Sequence, residues 1–228
     1  MRVLTWNLFH GRAAPPAGRD LSAQFAAALA GWEWDVALLQ EVPPWWAPLL
    51  ARACDADVRT VLTSRNVPLP TLRRRLAERL PDLVRSGGGG ANAILVRATA
   101  ITEHRHVVLR RWPERRVCHA VALDGGPWCA NLHAQAHSDQ RARADIARSA
   151  AATLAWSGGG PAIVGGDFNA RAPAAPGFDW LGGHGVDHVL GHDVRATDEP
   201  ARALDRGELS DHAPLLVTVL AHARRRSG

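Results

Sequence analysis

Ala162-Ile163-Val164-Gly165-Gly166-Asp167-Phe168-Asn169 reads as one strand, apolar for most of its length and polar at its end. Side chains alternate across a strand, so Asp167 and Asn169 share a face with Ile163 and Gly165 and emerge together at the sheet rim. The same construction recurs along the chain. Arg2-Val3-Leu4-Thr5-Trp6-Asn7-Leu8 carries Asn7 on the face of Val3 and Thr5, and Asp35-Val36-Ala37-Leu38-Leu39-Gln40-Glu41 carries Glu41 on the face of Ala37 and Leu39. Asn131 and His133 share a face of the segment Trp128 to His133. Asp187 heads the strand Asp187-His188-Val189-Leu190, and Ser210-Asp211-His212 stands directly before a closing strand, Pro214 to Leu220. A polar group at the end of an apolar strand can reach a ligand; taken singly, each also reads as an ordinary turn-former.

Between these strands the pattern is helical or punctuating. Leu21 to Ala30 reads as a helix, Pro43-Pro44 introduces another carrying Trp45 to Ala53, and a basic helical stretch runs from Leu72 to Val84 into Gly87-Gly88-Gly89-Gly90. Strands are expected at Asn92–Val96, His106–Arg110, Arg116–Leu123 and Trp128–His133, the later ones spaced as antiparallel hairpins. Ser138 is placed to N-cap a helix in which Ala142, Ile146, Ala150 and Leu154 recur every four residues, with Arg141 and Asp145 on the exposed side. Neither Gly87–Gly90 nor Gly158–Gly160 follows a strand and opens a helix with a Lys-Ser/Thr ending, which argues against a phosphate loop of the nucleotide-binding kind. Mixed strands and helices with central hairpins argue for packed sheets covered by helices, in one domain over 1–222 with a basic, disordered tail at 223–228.

The 228 residues are 46% hydrophobic and 21% charged, which excludes a disordered chain. No run approaches the roughly 18 apolar residues of a membrane-spanning helix, and residues 1–9 read as a strand, not a signal peptide, so a cytoplasmic monomer without membrane insertion is expected. All 27 basic residues are arginine and the net charge is +5, modest support for a polyanionic partner. Cys54, Cys118 and Cys129 read as reduced, buried thiols. His184, His188 and His192, spaced by four, imitate a metal-binding helix, but Gly185 and Gly191 place them on strands and loops. Arg115 and Arg116 open a strand that pairs with the one ending at His133, as strand-edge charge or as a phosphate contact.

Carboxylates, carboxamides and two histidines at strand ends form a hard-oxygen set that suits Mg²⁺, or Mn²⁺ as a substitute, better than zinc. Phosphoester hydrolysis needs what such a set supplies: charge neutralisation, an oriented water and a proton carrier, with an Asp to fix the imidazole tautomer. Asp187 and His212 suit that last pairing. The motifs Thr5-Trp6-Asn7, Leu39-Gln40-Glu41, Asn131-Leu132-His133, Gly166-Asp167-Phe168-Asn169, Asp187-His188-Val189-Leu190 and Ser210-Asp211-His212-Ala213-Pro214 resemble, in order, those of the endonuclease/exonuclease/phosphatase, DNase I-like superfamily.

That resemblance implies a four-layer α/β/β/α sandwich, two packed mixed β-sheets flanked by helices, with the site at one rim. It implies Glu41 as principal metal ligand with Asn7 and Asp211 nearby, and Asp167 with Asn169 positioning water and phosphate. His212, held by Asp187, is implied as general base or phosphate-stabilising group, with Asp167 the other candidate base; His133 contacts the phosphate or assists the leaving group. The absence of any Tyr argues against an abasic-site repair subtype, and the segment Ala91–Val96 lacks the acidic partner that secreted relatives offer the residue equivalent to His133, leaving Asn92 to orient it. The leading expectation is a metal-dependent phosphodiesterase or endonuclease acting on nucleic acid. A phosphatase or phosphodiesterase for a small or lipid-linked phosphate is the alternative, and a non-catalytic nucleic-acid-binding module the third.

Overall fold

The computed structural model describes residues 1–64, 66, 70–97 and 99–221; the expected basic tail lies outside them. In chain order the elements are β1 (Arg2–Asn7), α1 (Ser22–Gly31), β2 (Val36–Val42), α2 (Ala47–Cys54), β3 (Asp57–Leu62), α3 (Pro70–Arg79), α4 (Pro81–Val84), β4 (Ala91–Val96), β5 (Ile101–Arg110), β6 (Arg116–Leu123) and β7 (Trp128–His133). There follow α5 (Asp139–Trp156), β8 (Ala162–Asp167), β9 (Asp179–His184), β10 (Asp187–His192), β11 (Val194–Ala196), β12 (Arg202–Ala203) and β13 (Leu215–Ala221). One mixed sheet has the order β11-β13-β1-β2-β4-β3, with β12 on β13, and the other β5-β6-β7-β8-β10-β9.

Alternation along the central strands builds the layers. Leu4, Trp6 and Leu39 face α1 and α2, meeting Phe25, Leu29 and Leu50, while Val3, Val36 and Leu38 face inward onto Cys129, Ile163 and Val189 of the second sheet. Leu132 and Val164 then face outward onto Ala142, Ile146 and Ala150 of α5. The result is an α/β fold of four layers, helices outside and two mixed sheets within. Each buried aliphatic side chain contributes about 1.5–3 kcal/mol, so these three interfaces hold the rims in place.

The closing strand β13 pairs antiparallel with β1, and β1 pairs parallel with β2. In the second sheet β7, β8 and β10 lie side by side, with His133 opposite Asp167 and Asp167 opposite Asp187. The sheets touch closely at Gly165, where a Cβ would meet Leu38 Cδ1 at 2.7 Å. These pairings bring widely separated strand ends to one rim.

Several expectations need correction. The helix after Pro43-Pro44 starts at Ala47, because Pro43 O instead closes a turn onto Trp46 N. The basic stretch divides at Leu80, whose φ of −135° leaves the helical range ahead of Pro81. The strand expected at His106–Arg110 begins at Ile101, and the edge strands β3, β9, β11 and β12 add to the reading. Asp145 is fully buried, not exposed: Arg110 from β5 covers it at 3.1 Å and Gln135 N donates to it at 3.1 Å. Ser138 does cap α5, accepting from Arg141 N, and His188 and His192 lie in β10 with His184 at the end of β9.

Candidate active site

The rim holds an open cleft of about 710 Å³ whose lining includes Asn7, Glu41, His133, Asp167, Asn169, Asp211 and His212. A hollow of similar size, about 740 Å³, lies between α1 and α2, but its lining of alanines, Trp45, Trp46 and Leu49 carries Glu78 as its one carboxylate and no histidine.

Asp167 is the centre of the cleft. Its Oδ2 accepts from Asn7 Nδ2 at 2.9 Å, and its Oδ1 from Asn169 N at 3.0 Å. His133 Nε2 and His212 Nε2 approach Oδ2 to 3.5 and 3.9 Å. The residue before it, Gly166, has φ +147°, and a Cβ there would stand 1.8 Å from Leu132 O, so only glycine lets β8 deliver this carboxylate beside β7. Asn169, at φ +48°, anchors its amide on Ala134 O. Asn7 Oδ1 accepts from Phe9 N at 2.9 Å, which keeps one lone pair for a ligand.

Glu41 reaches the cleft by a route that alternation does not predict. Ala37 and Leu39 point to the helices, and a strict period of two would send Glu41 with them. The β2–β4 register shifts between Leu39 and Val42, and Glu41 adopts φ +50°; this bulge re-aims the carboxylate. Its oxygens then lie 3.1 Å from His10 Nε2 and 3.9 Å from His133 Nε2.

Beneath the bulge a polar latch joins the two sheets. Asn131 Nδ2 donates to Leu39 O at 2.8 Å and to Ala93 O at 2.9 Å, while Gln40 Nε2 donates to Asn131 Oδ1 at 2.8 Å. Asn131 is therefore committed to backbone and sits under the site. Asn92 does not orient His133; it donates to Val117 O at 3.3 Å.

His212 Nδ1 lies 2.8 Å from Asp187 Oδ2, the expected pair. The loop is held by Ser210 Oγ, which donates to Asn7 O at 2.6 Å and accepts from His212 N, and by Trp6 Nε1 donating to His212 O. Asp211, adjacent, is half-exposed at the mouth with Oδ1 4.0 Å from His212 Nε2.

Burial raises Glu41 to about 7, with repulsion from Asp167 adding to it and Arg116 opposing. Burial lowers His133 well below its usual range, and Arg116 reinforces that, so it is neutral. Burial also pushes Asp187 up to about 6 against the pull of its His212 bond. For His212 burial opposes the charge, but the Asp187 bond and the carboxylates of Asp187, Asp167 and Asp211 outweigh it and lift the imidazole to about 9. The direction that decides the pair's state is that of His212: at neutral pH it is an imidazolium facing aspartate.

Glu41, held up by burial and by repulsion from Asp167, is the kind of carboxylate a hard divalent cation relieves, and Asn7 and Asp211 line the same cleft. Asp167, Asp187 and His212 also offer ligand atoms within 4.8 Å of one another. There, however, Nδ1 and Oδ2 already share a hydrogen bond, which a metal would have to break.

His10 and Arg116 enter the site without a motif to announce them. His10 lies in a turn at φ +53° after β1. Arg116, 6% exposed, bonds Glu114 and lines the cleft beside His133, with Nε unpaired. Its place one strand from His133 was the available signal, and strand-edge charge is not what it is.

A model of the endonuclease/exonuclease/phosphatase family matches residues 4–212. No curated protein matches the chain. Among solved structures, the chain is similar to an endonuclease/exonuclease/phosphatase from Beutenbergia cavernae, at 17% identity and TM-score 0.69, covering 97% of this chain and 71% of that one. It is also similar to the human Nocturnin catalytic domain with bound sulfate (16%, 0.66, 96% and 93%) and to a mannosyl-6-phosphatase from Bacteroides thetaiotaomicron (14%, 0.64, 96% and 99%). At such identities these structures establish the fold alone.

Proposed function

The chain belongs to the endonuclease/exonuclease/phosphatase family, and from that premise we propose that it is a divalent-metal-dependent phosphodiesterase, an endonuclease cleaving nucleic-acid phosphodiester bonds by in-line attack of water. The observation that carries this reading is convergence: Glu41, His133, Asp167 and the Asp211-His212 pair, from four separate strand ends and loops, line one cleft. Magnesium, or manganese in its place, held by Glu41, Asp211 and Asn7, would neutralise phosphate charge and ease attack at phosphorus.

The protein's own groups do the rest. Asp167, fixed by Asn7 and by Asn169 N, orients the water and takes its proton, and Asn169 helps to seat the phosphate. His212, held by Asp187, presents Nε2–H to a phosphate oxygen. His133, neutral, faces the phosphate across Asp167. Arg116 sets a permanent positive charge beside the site, and Arg12, Arg85 and Arg141 extend that field along the lining, which favours a polyanion. A cytoplasmic setting accords with three buried cysteines that are all free thiols.

A phosphatase or phosphodiesterase for a small or lipid-linked phosphate is the second reading, favoured by the leucine-bearing rim described below. The test is turnover of plasmid DNA, single-stranded RNA, a chromogenic diester and a chromogenic monoester, with and without Mg²⁺ or Mn²⁺ and with Asp167→Ala as control. Metal-dependent diester cleavage lost in the variant is expected. Turnover of monoesters alone would replace this reading with the second, and metal-independent cleavage would overturn it.

A further inference from the structure

One flank of the cleft is built the wrong way round for a helix whose partner is the protein itself. On α3 and α4, Leu72, Leu76, Leu80 and Leu83 are 53, 43, 50 and 77% exposed. The side turned to the body is instead polar or small: Arg73 bonds Gly87 O and Ala77 packs toward Gly88. A soluble amphipathic helix buries its leucines; here Leu72, Leu76 and Leu80 are left half in water, and Leu83 and Trp112, 81% exposed on the loop between β5 and β6, stand almost clear of the body. Among the nine exposed large hydrophobic side chains of the described residues, these five stand close in the chain to the mouth of the cleft. Arg85 and Ser86, directly after α4, line the cleft, as does Pro113, and Ser86 shares a smaller hollow with Glu114 and Arg115.

Charge decides what covers this face. Residues 70–85 carry five arginines against Glu78 and Asp82, so the segment is strongly basic. A second copy laid on it would set like charges against each other. An anionic lipid surface satisfies both features at once, since leucines enter the headgroup–acyl boundary while arginines stay at the headgroups.

We infer that α3, α4 and Trp112 form an interfacial docking surface for anionic lipid, which sets the cleft mouth against a membrane surface without spanning it. Docking is independent of the chemistry proposed above and is observed without turnover. The surface would give the cleft access to phosphate groups at that interface.

The experiment is co-sedimentation of the full chain with vesicles of phosphatidylcholine alone and of phosphatidylcholine mixed with phosphatidylserine, beside light scattering for oligomeric state. Binding to the mixed vesicles, reduced by salt, is expected, and Leu72→Ser/Leu76→Ser/Leu83→Ser should weaken it about tenfold or more while circular dichroism stays unchanged. Leu83 is 77% exposed while Leu72 and Leu76 are about half packed, so Leu83→Ser alone, which should also weaken binding, keeps the test of docking apart from folding. Absence of binding by the native chain, binding unaltered by the three serines, or a native dimer that the same variant converts to monomer would each overturn the inference.

Discussion

Replacing Asn131 by Asp tests whether the latch beneath the site holds the two sheets in register. The exchange keeps the side chain's size and its acceptance from Gln40 Nε2, but removes both donations, to Leu39 O and Ala93 O. Asn131 is fully buried, so those carbonyls have no water to turn to. Each lost donation costs about 0.5–1.5 kcal/mol, and desolvation of the introduced carboxylate brings the loss to about 3–5 kcal/mol. Urea denaturation at pH 7.5 reads this as a fall in midpoint at constant slope. The loss should shrink on acidification. A buried carboxyl without a cation has its pKa raised in the folded state, so the folded chain binds the proton first and gains stability as pH falls through that window. Turnover measured well below the melting temperature should fall too, because Leu39 and Gln40 lead into the bulge that aims Glu41. A variant within about 1 kcal/mol of the native chain, or one whose penalty does not change with pH, would refute the latch.

Other perturbations have distinct signatures. Gly166→Ala forces a methyl onto Leu132 O and should cost several kcal/mol, about 3 or more, with turnover lost even in the folded fraction; denaturation and diester cleavage measure both, and a native-like variant would show that β8 has freedom to move. Asp145→Ala leaves Arg110 and Gln135 N unpaired and should destabilise by about 3–5 kcal/mol in the same urea assay, whereas an exposed carboxylate would cost almost nothing. His119 is fully buried beside His104, and burial, then the neighbouring imidazoles, lowers it to about 3. Between pH 6.5 and 3 the unfolded chain binds a proton there that the folded chain refuses, so stability rises with pH across that window. At pH 5 the loss relative to neutral pH is about 2 kcal/mol, and His119→Leu should remove that share of the pH slope; an unchanged slope in denaturation at pH 7.5 and 5 would contradict it.

Much of the site could be read from strand ends because each of those signals is local. An apolar run makes a buried strand, its last polar residue must leave at the rim, and period two assigns Val3, Thr5 and Asn7 to one face without knowledge of any partner. The reading fails where the partner is distant. Asp145 looks solvent-facing on α5 until Arg110 arrives from β5, and Arg116 looks like strand-edge charge until the carboxylates of other strands surround it. It fails again where the backbone leaves its regular path. Phe9, His10, Glu41, Asn169 and Ser210 all have positive φ, between 48° and 62°, though none is glycine. Only glycine advertises that conformation in a sequence; for other residues it is a cost the surrounding contacts must hold in place. Its concentration around one cleft is why alternation located Glu41 at the right strand end and on the wrong face. The strain is imposed by contacts such as Ser210 Oγ on Asn7 O and Asn131 on Leu39 O, which come from segments 203 and 92 residues away. The rim is thus specified by tertiary hydrogen bonds, and the substitutions that test it best are those that remove a donor while leaving the volume unchanged.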